Sequence, residues 1–304
     1  FTARGLSKDP GPFFLQPFPS NRWRDSLPRT SIGENNNVVP WPPYRPIQSP
    51  DLQTGKKVCL STENVIKDAL DTLLRVRPGF WSRTSCGVTR SLAPIPALLD
   101  RNAYSIETSR TRILLIGGLS GDDADVDMAL RALELFAGGG DTLSLRIALS
   151  AVPCANPDGL RLMTSTGNGA GGDPSGVYPP EGKFYYDPED PEKRYLWRWV
   201  CFQAPDLVLE LGVGNSVKWE YNQAARELAP GLAAKSISGE QGLLAALGTG
   251  HPDGLGTIPA LRLTAKEEQL PRELSRLFGM LRQLDVLTKS DARKALDTRR
   301  GRPT

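Results

Sequence analysis

The chain has 304 residues, 39% of them hydrophobic and 23% charged, enough to bury a substantial core without disulfide staples. The net charge of +3 is too small to imply a nucleic-acid partner. No apolar run reaches the roughly 18 residues of a membrane helix, so no membrane span is expected.

The chain begins at Phe1 rather than Met. A signal peptide removed before Phe1 would imply a secreted or extracytoplasmic protein; a boundary cut within a longer chain would look the same. Residues 1–59 read as an extended arm. Residues 1–50 hold ten of the 26 prolines, together with Phe13, Phe14, Phe18, Trp23, Trp41 and Tyr44. Proline removes backbone donors and opposes helix and central strand, while the aromatics favour lying on a surface.

Regular periodicity starts after residue 60. Val65 to Val76 has helical spacing. Pro94 to Leu99 predicts a strand, and Arg112 to Ile116 an apolar strand of the kind buried on both faces. Asp123 to Phe136 predicts an amphipathic helix that ends at Gly138-Gly139-Gly140. Leu143 to Val152 reads as another apolar strand, and residues 156–189 as a long Gly- and Pro-rich loop. Asp190-Pro191 is a cap and first-turn pair for a further helix. Asp206 to Leu211 and Ile258 to Leu263 read as strands, and Lys266 to Leu287 as an amphipathic helix. Residues 289–304 read as a basic, solvated tail carrying Lys294, Arg299, Arg300 and Arg302.

Short apolar strands alternating with helices predict an α/β fold: a single domain over residues 60–288, with a mixed, mostly parallel sheet covered by helices on both faces. Ligand chemistry in such sheets gathers at the carboxyl ends of the strands. GGLSGDD, PCANPDG and GVGN all fall there.

These segments contain little conventional catalytic equipment. Gly118 and Gly121 lack the lysine and spacing of a phosphate loop. Asp122, Asp123, Asp125 and Asp127 are hard-cation donors by type, but first-turn acids also favour the helix dipole. Alternate helical residues point apart, so all four cannot converge. The only histidine is His251, in the loop GTGHPDG, so no two-histidine metal site exists. No GxSxG elbow is present. Of the four cysteines, no two are spaced as CxxC, and Cys154 and Cys201 lie in or beside apolar segments that would bury them.

The order RILLIGGLSGDD, ALSAVPCANPDG, GGDPSGVYPPEG, APDLVLELGVGN and TIPALRLTA resembles the zinc carboxypeptidases, the carboxypeptidase A/B-like metallopeptidases, over roughly residues 60–287. The resemblance implies their α/β fold. It also assigns positions, and the chemistry fails at most of them. Ser120 and Asp123 stand where the first zinc histidine and glutamate belong, and Gly212 where the second histidine belongs. Ser175 and Gly176 replace the Asn-Arg pair that holds a substrate's terminal carboxylate, and Arg262 replaces the general-base glutamate. A peptide carboxylate would lose its bidentate partner, and an arginine cannot accept a proton from water.

The resemblance therefore implies a family that uses zinc and a chain without the ligands for it, hence no cofactor and no catalytic residues. The leading expectation is a catalytically silent protein that uses the former cleft to bind an unknown peptide or protein. The alternatives are an active hydrolase built on Asp122, Asp123, Glu210 and His251, or a partner-binding protein that acts through the N-terminal arm. Arg262 is expected to pair with Asp123 or Glu210.

Overall fold

The computed structural model describes residues 59–105, 108–139, 143–163, 167–178, 190–237, 242–249, 256–283 and 289–301. The expected N-terminal arm, apart from Cys59, lies outside them, as does His251. Two strands open the fold after helix α1 (Cys59–Val76): β1 (Trp81–Val88) and β2 (Pro94–Asp100). Then come β3 (Thr111–Ile116), α2 (Asp123–Gly138), β4 (Ile147–Val152), α3 (Pro157–Leu162) and α4 (Pro191–Gln203). The second half holds β5 (Leu207–Val213), β6 (Lys218–Tyr221), α5 (Ala229–Leu232), β7 (Lys235–Ser236), α6 (Leu243–Thr249), β8 (Ala260–Ala265), α7 (Leu270–Gln283) and α8 (Asp291–Gly301).

The strands form one sheet in the order β1-β2-β4-β3-β5-β8-β6-β7. The central strands β4, β3, β5 and β8 run parallel. Antiparallel pairings join β1 to β2, β2 to β4 and β6 to β8. This is the mixed, mostly parallel α/β sheet expected from the sequence.

Side chains alternate across a strand, so each central strand feeds two cores. Ile113, Leu115, Leu209 and Leu261 pack with α1, α2 and α7 on one face. Leu114, Ile116, Val208 and Ala260 pack with α4, α6 and α8 on the other. Both faces are buried, which is why these strands read as unbroken apolar runs.

Several elements differ from the sequence reading. Leu143 and Ser144 are helical, Leu145 and Arg146 form a turn, and the strand begins only at Ile147. The expected long loop contains α3, because Asn156 accepts a hydrogen bond from the Gly159 amide and Pro157 occupies the first turn. β1 and β6 were missed because their burial is uneven, and α6 because its seven residues are too few to display a period.

The basic C-terminal segment is the largest departure. Instead of a solvated tail, residues 291–301 form α8, with Ala292 and Arg293 buried. The Arg293 guanidinium pairs with Asp206 at the start of β5 and donates to the carbonyls of Arg110 (3.1 Å) and Thr108 (2.6 Å). Asp206 also accepts from the amides of Arg112 (2.9 Å) and Ser290 (3.0 Å). A desolvated charge demands a partner, so this pair ties α8 to the amino ends of β3 and β5. Removing one member leaves the other buried and uncompensated. Arg293→Met is expected to lower the unfolding free energy by about 3–5 kcal/mol, measured by urea denaturation.

Candidate functional site

The carboxyl ends of β3 and β5 frame the site. After Ile116 the chain turns through Gly117 to Gly121 into α2. Gly121 has φ +79°, and a Cβ there would come within 2.8 Å of the Gly159 backbone, so the turn requires glycine. Asp122 caps α2 by accepting from the Ala124 amide at 3.0 Å. Asp125, in the first turn, reaches across to β5 and accepts from the Val213 amide at 2.7 Å. Its other oxygen accepts from Ser120 Oγ at 2.6 Å, and Ser120 Oγ accepts in turn from the Asp122 amide.

The second wall comes from sheet register. Glu210 on β5 stands opposite Arg262 on β8, and Arg262 opposite Glu220 on β6. All three lie on the α6 side of the sheet. Arg262 donates to Glu210 twice, from Nε at 2.7 Å and from a terminal nitrogen at 3.2 Å. Its remaining nitrogen lies 3.7 Å from Glu220, which itself pairs with the exposed Lys218 at 2.8 Å. Burial opposes the charge on Arg262, but Glu210 and then Glu220 outweigh it, and its pKa is raised. The guanidinium is therefore permanent.

A scaffold of buried polar groups carries the third wall. Asp190 caps α4 and also accepts from the Asp173 amide at 3.0 Å. Asp173 accepts from both the amide and Oγ of Ser175, the latter at 2.6 Å. Asn168 holds the preceding loop through the amides of Ala170 and Gly172, and donates to the buried Glu192 at 3.1 Å.

Ser120, Asp125, Ser175, Glu210, Gly212 and Arg262 thereby line one cavity of about 360 Å³. Four of the six positions singled out in the sequence meet there: Ser120, Gly212, Ser175 and Arg262. Asp123 lies exposed at the start of α2 and Gly176 in the Asp173 turn, and neither lines the cavity. Of the two partners expected for Arg262, the structure has Glu210. Asp125 and Glu220 carry roles that the sequence did not single out. Asp125 was one of four equivalent acids, and no short-range signal marks Glu220, since only the β6–β8 register sets it beside Arg262.

Among the described residues, no group of three or more His, Cys, Asp or Glu side chains is arranged to hold a metal ion. Cys86 is no alternative nucleophile, because burial pushes its thiol up to about 12. A side chain at position 212 has room: a Cβ there would meet only Asp125 Oδ1, at 3.5 Å.

No family model matches the sequence, and no curated protein does. Solved structures do match in shape. A metallo-carboxypeptidase from Burkholderia cenocepacia superposes with a TM-score of 0.56 at 13% identity, over 73% of this chain and 69% of that one. A metallo-carboxypeptidase from Pseudomonas aeruginosa gives 0.53 at 13% identity, over 72% and 67%. At such identity the likeness concerns architecture, and the chain has the α/β fold of these metallo-carboxypeptidases.

Two measurements follow from the site's electrostatics. Arg262→Met leaves Glu210 and Glu220 without their shared cation. Because Arg262 is one-third exposed, the expected loss in urea denaturation is about 1–3 kcal/mol, below that of a fully buried pair. Glu192 has its carboxyl raised, first by burial. A raised carboxyl contributes stability that is fully present below the unfolded value, ordinarily 4.5, and is lost as pH rises through the folded value. The stability difference between the wild type and Glu192→Gln is therefore expected to move toward the wild type as pH falls from neutral, in urea titrations run across that range.

Proposed function

We propose that this carboxypeptidase-fold chain is catalytically silent and uses the cleft at the carboxyl ends of β3, β5 and β8 to bind a ligand or partner. The observation that carries the reading is the bidentate Arg262–Glu210 pair in the cleft wall. Arg262 stands where the resemblance puts the carboxylate that would activate water. A guanidinium of raised pKa neither takes a proton nor tolerates a divalent cation beside it.

The donor set does not fit zinc. Ser120 directs its proton to Asp125, and a serine hydroxyl is a poor zinc ligand. Gly212 offers no donor at all. Asp125 is engaged on both oxygens and Glu210 is neutralised by Arg262, so the carboxylates present are already paired within the protein. At the rim, Ser175 and Gly176 supply no cation for a peptide's terminal carboxylate. Loss of the metal donors, the base and the substrate anchor together favours binding over hydrolysis.

The test is metal analysis of protein purified without chelators or a histidine tag, paired with assays on carboxy-terminally blocked and free peptides. The expected result is zinc well below one per chain and no metal-dependent hydrolysis. Stoichiometric zinc together with zinc-dependent peptide cleavage would overturn the reading.

A further inference from the structure

We infer that the tip of the β1–β2 hairpin and the end of α3 form a contact surface for an anionic lipid bilayer, with Leu92, Leu162 and Met163 entering the headgroup region and Arg90 and Arg161 beside its phosphates. None of these five residues lines the cleft cavity, so the inference stands apart from the silent-cleft reading.

Three links bring these residues together. Ser91 donates its amide, at 2.9 Å, and its hydroxyl to Asp158 in the first turn of α3. The Arg90 guanidinium donates to the Ala170 carbonyl at 3.1 Å. A Cβ on Gly169 would come within 2.2 Å of Leu162 Cδ1, so the Leu162 side chain lies against the neighbour of Ala170. Met163 follows directly, as the C-cap of α3.

The apolar side chains gain nothing from these positions within the chain itself. Leu92 is 79% exposed, the most of any large hydrophobic among the described residues, Met163 67% and Leu162 52%. Leu92 and Met163 also sit at φ +66° and +54°, left-handed backbone that asparagine or glycine adopts at less cost. The hairpin tip is nonetheless held firmly. The Thr89 amide donates to the Ala93 carbonyl at 2.8 Å, the Leu92 amide to the Thr89 carbonyl at 3.0 Å, and the Arg90 amide to the buried Glu192 at 3.2 Å. A side chain already fixed outward loses little freedom when something else buries it.

Shape and charge select the occupant. A turn and a helix end project outward, and projecting side chains would require a matching groove in a protein partner. The boundary of headgroups and acyl chains takes them without one. The acids that hold the tip, Asp158 and Glu192, are buried and turned inward to Ser91 and Arg90. Arg90 and the half-exposed Arg161 flank the apolar trio as cations, the complement of an anionic headgroup layer.

The test is co-sedimentation of the full chain with phosphatidylcholine vesicles, with and without phosphatidylglycerol. Binding is expected to be about tenfold or more stronger when phosphatidylglycerol is present, and to weaken as salt is added. Leu92→Asn and Met163→Asn suit the left-handed backbone. The double variant is therefore expected to match or exceed the wild-type Tm while its partitioning onto the anionic vesicles falls about tenfold or more. Arg161→Gln should weaken that partitioning about fivefold, and it decides alone if the double variant does not fold. A wild type that stays in the supernatant at millimolar lipid overturns the inference. So does equal binding to the two vesicle types, or partitioning that the variant read leaves unchanged. Sedimentation equilibrium of the same proteins without lipid covers the other occupant: self-association of the wild type that the double variant abolishes assigns the surface to a second copy and overturns the lipid.

Discussion

Burial of the central parallel strands on both faces is the constraint from which the remaining arrangement follows. With Leu114, Ile116 and Val208 in one core and Ile113, Leu115 and Leu209 in the other, a polar side chain within these strands needs a partner, as Ser150 has in the Asp100 amide and Arg262 in Glu210. The two ends of the sheet's strands take different roles. At the amino ends, Asp206, Arg293, Arg112 and Asp297 form a closed ion cluster that fastens the last helix to the sheet. At the carboxyl ends, the side chains surround an opening.

The same physics acts on both clusters with different outcomes because their exposure differs. Arg293 is sealed and serves the fold. Arg262 is one-third exposed, and its pair with Glu210 remains in contact with the cavity. The geometry around Ser120, Asp125 and Gly212 is ordered by internal hydrogen bonds.

Much of this was legible in the chain. The runs at Ile113, Leu149 and Leu209, alternating with amphipathic helices, specify a two-sided α/β sheet because burial on both faces requires continuous apolar sequence. Asp190-Pro191 announced its helix because capping is a local interaction. Ser120, Gly212 and Arg262 were legible as departures from a segment order. Elements whose burial is uneven or brief, such as Trp81–Val88 and Leu243–Thr249, carry no period for a sequence to display. The terminal helix was misread because a run of basic residues signals solvent unless an acid is waiting. Asp206, the acid waiting for Arg293, lies 87 residues away.

The sequence by itself determined the sheet class, the places where chemistry could gather and the poverty of metal donors, a single histidine among 304 residues. These depend on residue type and local spacing. Only the tertiary structure decided that Asp125, rather than Asp123, turns into the cavity, that Glu210 and Glu220 flank Arg262, and that Ser120 and Ser175 give their protons to carboxylates. Those facts depend on strand register and on which side of a helix meets the sheet edge. Both are settled by packing between segments up to 88 residues apart, as in the Asp125–Val213 contact, and by no interaction within either segment alone.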